Sequence, residues 1–112
     1  MIFKREGAAR VRKHGVDMWI YSGREACEQA SVVYQETARG HDEEFTHARS
    51  AFVFYILEGR GTWVIEDIAY PVEATDVVIV PPGKPFYYRG DLKQVCITAP
   101  AWDEAHERHV EL

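Results

Sequence analysis

Phe52-Val53-Phe54-Tyr55-Ile56-Leu57-Glu58-Gly59-Arg60-Gly61-Thr62-Trp63-Val64-Ile65-Glu66 is a run of aromatic and β-branched residues broken by two glycines. Such side chains suit a pleated, half-buried surface. The run reads as two β-strands folded about Glu58-Gly59-Arg60-Gly61, where glycine supplies backbone angles that other residues avoid. The segments on either side look like further strands of the same sheet system. What lines the space they enclose sets the function.

Before this run, residues 8–13 and 17–22 read as short strands separated at Gly15, and residues 30–37 as a third. Ala38 to Glu44 is a polar, acidic loop, and Phe45-Thr46-His47-Ala48 resumes a strand that leads into the central hairpin. After it, Tyr70-Pro71-Val72 is a short strand. Val77-Val78-Ile79-Val80 has the continuous β-branched character of a strand covered on both faces. Pro81-Pro82-Gly83-Lys84-Pro85 is a rigid loop, because proline fixes φ and cannot donate to a ladder. Phe86 to Arg89 and Leu92 to Thr98 read as the last strands, with Gly90-Asp91 turning between them. Residues 103–109 read as a helical turn capped by Asp103, or as a tail. About nine short strands with regular turns and almost no helix signal indicate an all-β sandwich or closed barrel.

A chain of 112 residues has room for one domain and one core. Apolar residues make up 46% and charged residues 28%, the balance of an ordinary globular protein. A net charge of -5, without a long basic run, argues against nucleic acid and anionic membranes as partners. No apolar stretch approaches the ~20 residues of a membrane span. Met1 to Glu6 is followed by no long apolar region, so no export signal is expected. Cys27 and Cys96 lie far apart and outside any CxxC spacing, as expected of unpaired thiols in the cytoplasm.

Gly40 to Gly61, followed by Thr75 to Gly83, resembles the two sequence motifs of the cupin superfamily over roughly residues 30–100. The resemblance implies a double-stranded β-helix, a jelly-roll barrel, commonly a homodimer. Metal-using cupins carry a glycine, five residues, His-x-His and a glutamate in the first motif, and a third histidine after Pro-x-Gly in the second. Laid on this chain from Gly40, those positions are Thr46, Ala48, Phe52 and Phe86. Alanine and phenylalanine offer no lone pair, and a neutral threonine hydroxyl is a poor single donor. A transition metal needs about three or four converging N, O or S ligands. No metal and no cofactor are therefore expected in the barrel. On this register His47 points outward, by the alternation of a strand.

Rings and methyl groups then replace the metal. Thr46, Ala48, Phe52, Phe54, Phe86 and Tyr88 are the expected ligand-binding residues of an aromatic interior, with Tyr34 and Trp63 on faces that the sequence leaves open. The interior is either a small-molecule pocket or a packed core. Three functions follow: a module binding an apolar or aromatic small molecule, a cupin enzyme of isomerase or epimerase type or with relocated metal ligands, or a structural role. For catalysis Tyr88 could act as an acid, but no inward histidine base is evident. His41 and His47 with Glu43 or Glu44, or His106 with His109, are the pairings open to a relocated ion.

Overall fold

A computed structural model describes all 112 residues. Nine strands form it: β1 (Ala9–Lys13), β2 (Val16–Ser22), β3 (Ser31–Thr37), β4 (Glu43–His47), β5 (Ala51–Ile65), β6 (Ile68–Glu73), β7 (Val77–Val80), β8 (Phe86–Ala99) and β9 (Glu107–Glu111). All pairings are antiparallel. The strands run β1-β2-β3-β8-β4-β9 across one curled sheet, and β5 joins β8 to β6 and β7. This is the double-stranded β-helix expected from the sequence. No helix is long and apolar enough to cross a membrane.

The central run is not a hairpin. β5 is one continuous strand of 15 residues, and β8 is another of 14 where a turn at Gly90-Asp91 was expected. They pair along their whole lengths, from Ala51↔Ala99 to Ile65↔Phe86, with an irregularity between Ile56 and Glu58. The glycines serve this crossing instead of a turn. A Cβ on Gly59 would lie 1.9 Å from the Asp91 carbonyl oxygen, and one on Gly61 would lie 2.1 Å from that of Arg89. Two bent strands can approach this closely only where side chains are missing.

The halves of these strands then meet different partners. Phe52 to Tyr55 pairs with β7 and Arg60 to Ile65 with β6, while Leu92 to Thr98 pairs with β3. β7 is not covered on both faces. Val78 and Val80 are buried, whereas Val77 and Ile79 face solvent at 57% and 61% exposure. Its β-branched run reflects pleat propensity on an outer face.

Alternation sends Phe52, Phe54, Ile56 and Trp63 of β5 inward to meet Phe86, Tyr88 and Leu92 of β8. Trp63 is fully buried, with ring centroids 4.6 Å from Phe54 and 4.8 Å from Tyr88. Each such ring contributes about 2 kcal/mol by leaving water. Tyr34 faces the other way. Its ring lies tilted beside that of Trp19, with centroids 5.4 Å apart and the Arg5 guanidinium over both rings.

The C-terminal segment is a strand and not a tail. Asp103 does cap a short turn, its carboxylate accepting from the Ala105 N–H at 3.1 Å. β9 then pairs along β4, with Phe45 opposite His109. That pairing brings the C-terminus to the mouth of the barrel.

Candidate active site

The barrel interior is part packed and part open. A cavity of about 510 Å³ enters from one end, within the range of small-molecule sites. Phe52, Phe54, Phe86 and Tyr88 line it, as expected from the sequence. Thr46 and Ala48 do not. Thr46 is half-buried on the other face of β4, opposite Arg108, and Ala48 is exposed. Phe45 and His47 are the buried members of β4. The physical reason is register. Phe45 stands directly opposite Phe86, and opposed residues of an antiparallel pair share a face. Because Phe86 faces inward, so does Phe45, and the inward residues of β4 lie one position before those that the family spacing from Gly40 implies.

His47 is inward but already engaged at both ring nitrogens. Nδ1 accepts from the Ser50 N–H at 2.9 Å, so Nε2 carries the hydrogen and donates to the Asp103 carbonyl at 3.0 Å. This residue pins the β4–β5 corner to the C-terminal turn.

His41 is the working group that the sequence hid in a polar loop. Gly40, at φ +110°, crosses so near β8 that a Cβ would lie 2.2 Å from the Tyr88 carbonyl oxygen. The crossing turns the next side chain into the cavity. The His41 N–H donates to the Tyr88 carbonyl at 2.9 Å, and the Arg89 guanidinium holds the His41 carbonyl. The imidazole is 7% exposed, packed edge-on to Tyr88 and Phe45. Its Nδ1 lies 2.6 Å from the Glu43 carbonyl oxygen. At that separation only a donated hydrogen is favourable. The Glu43 N–H, 3.2 Å away, is the weaker of the two contacts at Nδ1. Nε2 therefore keeps its lone pair, and with no protein partner it is left for a ligand.

A second polar feature lies deeper. The Tyr88 hydroxyl donates to Gln35 Oε1 at 2.8 Å, and Gln94 Nε2 donates to the same oxygen at 3.1 Å. Gln35 lines the cavity, and with its carbonyl used twice its amide N–H groups have no protein acceptor. Burial pushes the Tyr88 phenol far above its ordinary value and the Cys96 thiol up to about 12, so both stay protonated. Cys27 and Cys96 are unpaired.

Burial also pulls His41 down to about 4, outweighing the Glu43 carbonyl that favours its charged form, and burial lowers His47. The folded state thus refuses protons that the unfolded chain takes up near 6.5. Stability contributed by His41 is complete above pH 6.5 and is lost as the pH falls from there toward 4, and His47 adds in the same direction. Urea midpoints measured across this window should decline on the acid side; a midpoint independent of pH there would contradict the burial of both rings.

A cupin domain model matches residues 32–98, more than half of the chain. The chain is a cupin. Among solved structures this cupin is similar to Pac13, described as a unique nucleoside dehydratase. The two are 35% identical, with 100% of this chain and 92% of that one covered and a TM-score of 0.95. A histidine-to-glutamine variant of Streptomyces Pac13 solved with uridine is 34% identical over 99% of this chain and 91% of that one, with a TM-score of 0.94. KdgF from Halomonas sp., 14% identical over 94% of this chain and 97% of that one with a TM-score of 0.78, shares the fold. No curated protein matches the cupin in sequence.

The donor set inside this cupin does not fit the metal that many family members carry. With the register corrected, the four ligand positions hold Phe45, His47, Phe52 and Phe86, and the one histidine among them has no free nitrogen. Groups able to hold a cation lie instead at the mouth, where one ligand atom each from His14, Glu43 and His109 falls within 4.8 Å of the others. The pairings considered from sequence do not form. His47 and His41 bond to different elements, and extended backbone after His106 sends His109 to β4.

Proposed function

We propose that this cupin is a nucleoside dehydratase that takes a uridine-type nucleoside into the aromatic cavity and uses His41 as its base. The observation that carries the reading is His41 itself: a buried imidazole with its lone pair at Nε2 facing the open interior, in a chain 35% identical over its full length to a nucleoside dehydratase. The aromatic walls suit a flat pyrimidine, and the Gln35 amide can donate to a pyrimidine carbonyl. Tyr88, held neutral, orients Gln35 through its hydroxyl.

Dehydration breaks one C–H and one C–O bond of the sugar and forms a C=C bond. His41 Nε2 takes the proton from carbon, and the departing hydroxyl takes a proton to leave as water. Returning the same proton from the imidazolium restores the neutral ring. Imidazole removes a proton only from carbon acidified by a neighbouring carbonyl, so the substrate is a nucleoside oxidised on its sugar. The test incubates the protein with uridine and with its sugar-oxidised aldehyde and ketone derivatives, following mass and uridine binding. The expected result is binding of uridine and loss of one water from an oxidised derivative. Binding without water loss would leave a binding module, and absence of both would overturn the reading.

A further inference from the structure

We propose a divalent transition-metal site at the barrel mouth, formed by His14, Glu43 and His109, with zinc as its simplest occupant. The proposal is independent of the nucleoside reading. Its basis is a conflict of lone pairs. His109 Nε2 lies 2.6 Å from Glu107 Oε2, so that nitrogen carries the hydrogen and donates. The other Glu107 oxygen accepts from the Trp102 indole N–H at 2.6 Å, which fixes the carboxylate in place. A neutral His109 therefore turns a bare Nδ1 toward Glu43 Oε1, 3.3 Å away. His14 Nδ1 meets that same oxygen. His109 Nδ1 and His14 Nε2 are buried without a hydrogen-bond partner, and Glu43 Oε1 is buried with only the His14 contact. A hydrogen on His14 Nδ1 can satisfy one face of that oxygen, but the His109 lone pair still meets it, and a cation shared by all three groups would satisfy every one of them.

The surroundings are those of a metal centre. A carboxylate on the far nitrogen of a ligating imidazole sets its tautomer and raises its basicity, and Trp102–Glu107–His109 supplies that arrangement. The rings of His14 and His109 stack at 4.6 Å between centroids, holding both near one carboxylate. Bond lengths of about 2.1 Å imply tetrahedral ligand separations of about 3.4 Å. The Glu43–His109 pair already has that spacing, and shifts of about 1 Å adjust the rest.

His14 also carries backbone strain. It occupies the first central position of the β1–β2 turn at φ 57°, followed by Gly15 at φ 82°. Asparagine, aspartate or glycine suits that position best. The turn fixes the His14 backbone and with it the direction of the imidazole.

Two imidazoles and one carboxylate leave coordination positions open, the composition of a site that also takes water or a ligand oxygen. His14 and His109 line the same cavity as His41, and the His14 and His41 ring centroids are 5.0 Å apart. The open positions therefore face whatever occupies the cavity.

The test strips the full-length protein with chelator and titrates it with zinc chloride by calorimetry at neutral pH. One zinc per chain is expected. Glu43→Gln and His109→Gln should each weaken binding by about 100-fold or more, and Glu107→Gln by about 10- to 100-fold. His106→Gln, outside the cluster, should bind as wild type does. Thermal melts of the chelated variants establish that each is folded. No stoichiometric zinc in the wild type would overturn the site and leave protons as the charge that resolves the cluster. Unchanged affinity in both ligand variants would overturn it too, by placing the metal elsewhere.

Discussion

Replacing His41 with glutamine is expected to lower kcat for water loss from a sugar-oxidised uridine by about 10²–10⁴-fold, the usual range for removing a positioned acid–base group. Glutamine keeps much of the imidazole's volume and can still donate to the Glu43 carbonyl. The Gly40 crossing and the backbone bonds to Tyr88 do not depend on the side chain. Fold and uridine affinity should therefore change little, and the loss should fall on kcat and not on KM. Steady-state kinetics with a calorimetric Kd for uridine separate the two. Turnover within tenfold of wild type would remove His41 as the base.

The second large effect is on stability, at Gly59. Gly59→Ala places a methyl group 1.9 Å from the Asp91 carbonyl oxygen, at φ +91°. The atoms it meets are all β8 backbone and not a flexible side chain, so relief requires β5 and β8 to separate there. A cost of about 4 kcal/mol or more is expected, among the larger single-residue effects. For a domain of this size that lowers Tm by roughly 15 °C or more. Gly83→Ala is the matched control. It also has positive φ, at +81°, but meets nothing within 4 Å. Its cost is the left-handed penalty alone, about 1–2 kcal/mol. Similar Tm values for the two variants would mean that the strands do not cross as closely as described.

These glycines show where reading the sequence fails for a physical reason. Gly59, Gly61 and Gly90 look like turn residues because glycine between strand-formers usually is one. Here the same freedom lets two long strands pass in contact, a requirement that exists only once the partner strand is known. The register of β4 has the same character. Gly40 fixed a family-like spacing that placed Thr46 and Ala48 inward, yet the pairing of Phe45 with Phe86 decides the face, and a one-residue shift reverses every side chain. Residues on the long strands were legible because alternation and aromatic character agree there. Phe52, Phe54, Phe86 and Tyr88 line the cavity as expected.

What the sequence did not reveal is the polar chemistry. His41 sits among charged loop residues and turns inward only through the Gly40 crossing. Gln35 is one polar position in an unremarkable strand until the Tyr88 hydroxyl reaches it. His14 and His109 are 95 residues apart and meet only because β9 pairs with β4 at the mouth. A strong β-branched run before Glu107 would have disclosed β9, but its sequence, Glu107-Arg108-His109-Val110-Glu111, is mostly charged, as edge strands often are.

The most direct measurement is a crystal structure of the protein soaked with uridine. The account predicts the pyrimidine among Phe52, Phe86 and Tyr88, with a sugar atom about 3 Å from His41 Nε2. Uridine bound outside the barrel, or an ion coordinated between Phe45 and Phe86 in the interior, would contradict it.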